Sequence, residues 1–275
     1  MSTSRKRLPI VAAVLVAVLV GGFFGIRALW RVAAASFASD QCTVGSFDLD
    51  PAQAAVASTM VGAVSKFPTA LPERAAVLVL AAGLQESKLR NLPPGAGDRD
   101  SVGVLQQRPS QGWGDFKAAP LNDVFEATTE FLQHLVKIPN WQTMSVAAAV
   151  QEVQVSADGS AYAQHEEEAQ ALADALQGHK PAAISCSFAK PTKVALGATV
   201  ATQVRKDLPV NPPVVSGPSV RVPGASWQTA AWFVANADRL GIERVAYSGK
   251  QWSRAGGWAS SSAGTTAVVA TLYQA

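Results

Sequence analysis

The sequence predicts an α+β fold, with a mainly helical domain that carries a small polar hairpin or loop insertion, followed by a small α/β module. Apolar residues recur with helical spacing through most of the chain up to Cys186. A glycine-rich polar segment over residues 92–114 interrupts this pattern. After Cys186 the composition changes, and six prolines fall between Pro191 and Pro223. We therefore expect three regions beyond the amino-terminal segment: a helical domain over 40–188, a proline-rich connector over 189–226 and the module over 227–275.

Residues 1–31 are predicted to be a signal anchor. Three basic residues precede an uncharged apolar run from Ile10 to Ile26. At about 1.5 Å of rise per residue, this run and the two residues before it extend over roughly 26–28 Å, close to the thickness of a hydrocarbon core. The basic residues favour a cytoplasmic amino terminus. We expect residues 8–30 to cross the cytoplasmic membrane once and the bulk of the chain to be extracytoplasmic; the alternative is a cleaved signal peptide and a secreted protein.

Apolar periodicity predicts a series of helices before Cys186. The predicted ranges are 50–66, 73–91, 120–137, 145–154 and 160–177. The second of these helices is apolar on nearly all sides from Ala75 to Leu84, which is typical of a helix at the buried centre of a domain. Glu86 follows this buried stretch and lies just ahead of Pro93 and Pro94, where we expect the helix to end at the wall of a cleft.

The chain beyond Cys186 has weaker signals. One helix is predicted within the connector, at 195–207. In the module, a helix over 227–240 precedes strands near Val245 and Leu272. Three tryptophans supply apolar mass to the module: Trp232, Trp252 and Trp258. They are interpreted either as core or as a glycan-binding face, with core the preferred interpretation.

Cys42 and Cys186 are the two cysteines of the chain. Disulfides persist outside the reducing cytosol, so an exported chain with an even number of cysteines predicts a bond between them. Such a bond would clamp both ends of the segment that contains Glu86. The alternative is two free thiols.

Net charge, histidine spacing and the number of predicted membrane spans argue against several classes of function. Charged residues make up 16% of the chain and the formal net charge is +3, a balance too mild to indicate nucleic-acid binding. The three histidines lack metal-ligand spacing, so we expect no metal site and no cofactor. One predicted span is also too few for a transporter.

Glu86 is the candidate catalytic residue. Cleavage of a glycosidic bond requires a carboxylic acid that stays protonated near neutral pH. The apolar residues from Val77 to Leu84 would desolvate a neighbouring carboxyl group and raise its pKa. The alternative is that Glu86 forms an ordinary surface pair with Lys88 or Arg90.

The polar segment that follows offers hydrogen-bonding groups and an aromatic ring. Sugar hydroxyls and N-acetyl groups are bound by such groups. Its glycines would let the backbone approach a ligand closely. The candidate substrate-binding residues of this segment are Ser101, Gln106, Gln107, Arg108, Gln111 and Trp113.

These motifs resemble the lysozyme-like lytic transglycosylases, in which a catalytic Glu-Ser pair precedes a Ser-x-Gly-Leu-Met-Gln-like segment. Glu86-Ser87 and the run from Ser101 to Gln106 match that order. Residues 97–101 and 106–114 are similar to blocks in exported proteins of high-GC Gram-positive bacteria, and the resemblance covers roughly residues 50–178. Two positions expected to be tyrosines are Phe125 and Leu132, which leaves Tyr162 as the cleft tyrosine.

The resemblance implies a lysozyme-like domain that cleaves peptidoglycan glycan strands between N-acetylmuramic acid and N-acetylglucosamine. Glu86 would act first as the acid and then as the base that closes a 1,6-anhydro ring. A lysozyme-type hydrolase would instead need Asp98 or Asp100 as a base that activates water. A catalytically silent wall-binding scaffold is a further alternative. The module over 227–275 would position the enzyme or bind a cell-wall protein partner.

Overall fold

The computed structural model describes residues 40–114, 121–156 and 159–274. The predicted signal anchor at residues 1–31 lies outside these ranges. Within them, no helix is both long enough and apolar enough to cross a membrane. The described chain from Asp40 onward combines helices with two sheets in one compact unit.

The helices predicted before Cys186 are confirmed, with shifted ends. They are α1 (Pro51–Lys66), α2 (Arg74–Ser87), α3 (Val124–Leu135), α4 (Val146–Gln154) and α5 (Glu166–Leu176). Asp50 caps α1, because its carboxylate accepts a hydrogen bond from the Gln53 amide at 2.8 Å while the Gln53 side chain accepts one from the Asp50 amide. The predicted helix over 160–177 starts as a 3₁₀-helix, Gly159–His165, and becomes α-helical only at Glu166.

Helix α2 is the buried centre of this region. Every residue from Ala75 to Leu84 is buried, as predicted from their apolar character. The helix packs against α1, α3, α4 and α5. It ends at Ser87, earlier than predicted, because Lys88 and Leu89 adopt left-handed backbone conformations that turn Leu89 into the core.

A three-stranded antiparallel sheet joins the two ends of the helical region. Its strands are β1 (Gln41–Val44), β2 (Phe47–Leu49) and β3 (Ile184–Ser187), in the order β2-β1-β3. Cys42 lies opposite Cys186 in the pairing of β1 with β3, and the two form a disulfide bond. The predicted disulfide is therefore confirmed.

A six-stranded antiparallel sheet dominates the rest of the chain, in the order β4-β5-β9-β6-β7-β8. Its strands are β4 (Val214–Ser216), β5 (Ser219–Pro223), β6 (Ile242–Tyr247), β7 (Lys250–Ser253), β8 (Gly257–Ser260) and β9 (Ala267–Leu272). Three helices accompany them: α6 (Gly197–Asp207), α7 (Trp227–Ala235) and α8 (Ala237–Leu240).

The proline-rich segment over 189–226, expected to be a connector, contributes α6 and two strands to this region. Strand β5 pairs along its length with β9, from Ser219 opposite Thr271 to Pro223 opposite Ala267. Proline is tolerated here because Pro218 precedes β5 and Pro223 is its last residue. The segment therefore belongs in part to the same sheet as the residues after Trp227.

The carboxy-terminal region shares its core with the helical region. Helix α7 packs against both α1 and α5. The indole nitrogens of Trp252 and Trp258 donate hydrogen bonds to the carbonyl oxygens of Cys186 and Ile184, at 3.0 Å and 2.8 Å. Trp232 and Trp252 are fully buried and Trp258 packs against the core, which supports the interpretation of these tryptophans as core. The buried apolar residues of both regions form one continuous cluster.

Candidate functional site

Glu86 lies in the last turn of α2, between a buried helix and an open cavity. The left-handed turn at Lys88 and Leu89 ends the helix at Ser87, one residue after Glu86. Glu86 and Gln85 before it are half-buried, whereas Leu84 and Ser87 are buried. The end of α2 thus presents one carboxyl group at the wall of the cavity.

Ser87 fixes the polar segment to the end of α2. Its hydroxyl donates a hydrogen bond to the carbonyl oxygen of Val104 at 2.7 Å. The segment folds back on itself there, because the backbone groups of Val102 and Gln107 bond to each other in both directions, at 2.9 Å and 3.1 Å. The predicted hairpin or loop insertion is thus a short hairpin-like turn, held against the helix end that carries Glu86.

Gly103 allows this turn to pack closely. Its φ is +77°, a left-handed conformation, and a Cβ atom placed there would lie 2.3 Å from the carbonyl oxygen of Leu121. Its amide donates a hydrogen bond to the Leu92 carbonyl at 2.9 Å. The close contact at this glycine is with the protein's own backbone, whereas we expected a close approach to a ligand.

The cavity beside Glu86 has a volume of about 610 Å³ and gathers most of the predicted site residues. All six substrate-binding candidates from the polar segment line it, together with Asp98. Its full lining is Glu86, Asp98, Arg99, Ser101, Gln106, Gln107, Arg108, Gln111, Trp113, Gln154, Val155 and Ser156. Residues that are scattered over 70 positions of the sequence thus surround one carboxyl group.

The surroundings of Glu86 favour its neutral form. Burial raises the pKa of the Glu86 carboxyl group, and this effect exceeds the lowering by hydrogen bonds from Tyr162 and Gln154. The Tyr162 hydroxyl donates to Glu86 Oε1 at 2.6 Å. A carboxyl group in this setting retains its proton to higher pH than an exposed one does. Hydrogen bonds from Tyr162 and Gln154 stabilise the carboxylate once the proton has left.

Tyr162 contacts the candidate catalytic residue instead of lining the cavity. Its side chain is fully buried, and burial together with the hydrogen bond to Glu86 raises the pKa of its hydroxyl. Phe125 and Leu132, the two positions expected to be tyrosines, do not line this cavity. Leu132 is buried in the core, and the ring of Phe125 lies 5.7 Å from Lys66 Nζ. These two positions therefore do not contribute to the described lining.

The two candidate bases occupy different places. Asp98 lines the cavity, with a side chain 87% exposed and 3.7 Å from the Arg99 guanidinium. Asp100 is not part of the lining. Its oxygens accept hydrogen bonds from Arg108 Nε and from the Ser110 amide, each at 2.8 Å. Hydrogen bonds from Ser110 and Arg108 hold the pKa of Asp100 well below its usual range, which makes it a weak base.

One wall of the cavity is aromatic. The ring of Trp113 lies against the ring of His134, with centroids 4.5 Å apart. The next amide along the chain, that of Gly114, donates to the buried carboxylate of Glu130 at 2.7 Å. Helix α3 therefore holds Trp113 in place from behind, through both His134 and Glu130.

Four residues of the lining were not predicted from the sequence. Gln154, Val155 and Ser156 follow the end of α4, and Arg99 lies in the loop before Ser101. Gln154 is the last residue of α4, much as Glu86 is the last but one of α2, and this position at a helix end is a signal that the sequence offers. Its amide donates a hydrogen bond to the Leu105 carbonyl at 2.9 Å. Val155 has none: it is 79% exposed and its φ is +50°, an unfavourable conformation for a β-branched residue.

A second cavity of about 440 Å³ lies elsewhere, between α1, the start of α3, α6 and α8. Asp207, Lys206 and Arg239 line it beside apolar residues of α1. No residue predicted for the functional site lines it.

Within the described ranges, no group of three or more histidine, cysteine, aspartate or glutamate side chains is placed so that it could hold a metal ion.

Comparison of the sequence with models of known protein families finds no match, and neither does comparison with curated proteins.

Proposed function

We propose that this protein cleaves the glycan strands of peptidoglycan between N-acetylmuramic acid and N-acetylglucosamine as a lytic transglycosylase. The observation that carries the proposal is Glu86, a carboxyl group with a raised pKa at the wall of a cavity lined by amides, hydroxyls and an indole. On this proposal residues 40–188 form a lysozyme-like domain, as the sequence motifs imply.

The first step uses Glu86 as an acid. A protonated Glu86 donates its proton to the glycosidic oxygen, and the bond from that oxygen to the anomeric carbon of N-acetylmuramic acid breaks. The neighbouring 2-acetamido group supplies electrons to the anomeric carbon. Burial supports this step because it keeps Glu86 protonated at a pH where an exposed glutamate has lost its proton.

The second step uses the same residue as a base. Ionised Glu86 takes the proton from the sugar's own 6-hydroxyl, whose oxygen bonds to the anomeric carbon as the acetamido oxygen leaves it, which closes the 1,6-anhydro ring. Hydrogen bonds from Tyr162 and Gln154 stabilise the carboxylate between the two steps. No second carboxylate takes part, and no metal or cofactor is required.

Hydrolysis is the rival outcome, and it needs a base that activates water. Asp98 is the better placed of the two candidates, because it lines the cavity while Asp100 is engaged by Arg108 and Ser110. Asp98 is nevertheless highly exposed, with only a loose contact to Arg99 to orient it. Transglycosylation is therefore the preferred outcome.

The proposed enzyme is tethered to the cytoplasmic membrane by residues 8–30 and faces the wall. The disulfide between Cys42 and Cys186 supports an oxidising location outside the cytosol. A cell-wall protein that binds residues 227–275 stays part of the proposal as a partner.

The decisive experiment incubates the full-length protein, in mild detergent, with purified peptidoglycan and identifies the released fragments by mass spectrometry. We expect 1,6-anhydro products from the wild type and a loss of activity of about 10²–10⁴-fold or more in Glu86→Gln. Asp207→Asn is the matched control, since it makes the same chemical change at another buried carboxyl group.

The remaining outcomes separate the alternatives. Products with reducing ends would establish hydrolysis and direct attention to Asp98. A folded wild type that binds the wall without releasing fragments would support the silent scaffold and contradict the enzymatic proposal.

A further inference from the structure

Arg108 is the best-fixed cation of the cavity beside Glu86. Its Nε donates to Asp100 Oδ1 at 2.8 Å, and Asp100 Oδ2 accepts from the Ser110 amide at the same distance. The Arg108 side chain is 22% exposed, whereas that of Arg99, the other arginine in the lining, is 70% exposed. The plane of the Arg108 guanidinium is thus set by a carboxylate that is itself held by the backbone.

The terminal nitrogens of Arg108 have no partner among the described residues. Within the described ranges neither nitrogen makes a hydrogen bond, so Nε–H accounts for one of the five donors of the guanidinium. Arginine presents these donors in a rigid fork that matches the two oxygens of a carboxylate. Because Arg108 lines the cavity, this fork is offered to whatever the cavity binds.

The other charges of the lining do not compete for this fork. Asp98 lies beside Arg99, and burial favours the neutral form of Glu86. Asp100 pairs with the Nε edge of the Arg108 guanidinium. The edge formed by the two terminal nitrogens has no partner among the described residues. Within the described lining, an additional anion would therefore meet a partly desolvated cation, while the lining carboxyl group of Asp98 lies beside Arg99.

We propose that Arg108 is a substrate-binding residue that recognises a carboxylate of the glycan strand close to the scissile bond. This inference rests on the proposed function and narrows its substrate class. N-acetylmuramic acid carries a lactyl group that ends in a free carboxylate when the stem peptide has been removed, and in a neutral amide bond when the peptide is attached. The stem peptide itself offers other carboxylates, so the same chemistry has two sources.

The test measures binding to the full-length Glu86→Gln protein, which keeps the shape of the site without cleaving the probe. Three probes are compared: glycan strands stripped of peptide with free lactyl carboxylates, the same strands with these groups converted to methylamides, and strands with intact stem peptides. We expect the free acid to bind about tenfold or more tightly than the methylamide, the usual size of a hydrogen bond to a charged group.

Two variants in the same background locate the effect. Arg108→Gln should abolish the preference for the free acid, whereas Arg99→Gln should retain it, because Arg99 is exposed and unfixed. If Arg108→Gln fails to fold, the comparison of free acid with methylamide on the parent protein still decides. Equal affinity for these two probes would overturn the inference.

The probes also identify the source of the carboxylate. Tight binding of stripped strands alone supports the lactyl group, and equally tight binding of peptide-bearing strands supports a carboxylate of the stem. A preference for the acid in a protein whose wild type releases no fragments would sustain this inference while the proposed function fails. Cleavage without that preference would do the reverse.

Discussion

Glu86 and Asp207 are two carboxyl groups, the first half-buried and the second fully buried, and their surroundings differ. Burial raises the pKa of both, and in both cases hydrogen bonds counteract it. Asp207 is fully buried, and its two oxygens accept from Gln203, Thr59 and Trp232 at 3.0, 3.2 and 2.9 Å. Glu86 is half-buried and faces amides, hydroxyls and an indole across an open cavity.

A raised pKa therefore marks burial in this protein, and it does not by itself mark a functional site. Both carboxyl groups also border a cavity, so a cavity does not separate them either. The two carboxyl groups differ in what surrounds their oxygens. Asp207 joins α1, α6 and α7 through its hydrogen bonds, whereas Glu86 is held by Tyr162 and Gln154 and still faces the cavity.

The largest expected effect is a loss of stability when Asp207 is replaced, and it tests the difference between the two carboxyl groups. Asp207→Ala leaves the Trp232 indole nitrogen and the Thr59 hydroxyl without their buried acceptor. We expect a decrease in the free energy of unfolding of about 2–4 kcal/mol, measured by urea denaturation. Cleavage per folded molecule should be unchanged. A loss of activity without a loss of stability would show that Asp207 takes part in catalysis and would contradict the distinction between the two groups.

Removal of the hydrogen bond to Glu86 has a smaller effect. In Tyr162→Phe the carboxylate loses a donor that lowers its pKa, so the pKa of Glu86 rises further. If Glu86 is the acid, the alkaline limb of the pH profile of kcat/KM moves to higher pH, because the enzyme keeps its proton for longer. Stability should fall by about 1 kcal/mol. An unmoved alkaline limb would argue against Glu86 as the group that limits activity.

The smallest effect is a gain in stability in Glu86→Gln. The folded protein binds the Glu86 proton more tightly than the unfolded chain does, so the wild type loses stability as pH rises from the unfolded pKa through the folded one. The amide lacks this loss. We expect the variant to unfold at a higher temperature than the wild type at neutral pH, with the difference disappearing well below about pH 4. A variant that is less stable at neutral pH would indicate that the carboxylate is structural, as at Asp207.

Local patterns predicted much of the helical region. The apolar stretch from Ala75 to Leu84 identified the central helix, and the polar segment from Ser101 to Trp113 identified most of the cavity lining. Both signals are local. A run of apolar residues indicates a buried helix, and a short stretch rich in polar side chains and glycines is typical of a loop that binds a ligand. The disulfide between Cys42 and Cys186 was predicted because the chain has two cysteines and was expected to be exported.

Contacts between distant residues could not be predicted. The hydrogen bond between Tyr162 and Glu86 joins residues 76 positions apart. Strand β5 lies in a proline-rich stretch and finds its partner β9 only near the end of the chain. The end of α2 was placed too late because the left-handed turn buries Leu89 against Gly83 of the same helix, where an added Cβ atom would lie 3.0 Å from Leu89 Cδ2.

The hydrogen bonds from Trp252 and Trp258 to β3 have a consequence for how the protein is made. Synthesis proceeds from the amino terminus, so β1 can pair with β2 early, whereas its second partner, β3, is made only after the five helices of the helical region. Cys42 therefore has no disulfide partner until Cys186, 144 positions later, has been made. The two indole donors to β3 follow later still, so the sheet that begins at β1 gains its last hydrogen bonds only after β7 and β8 have been made.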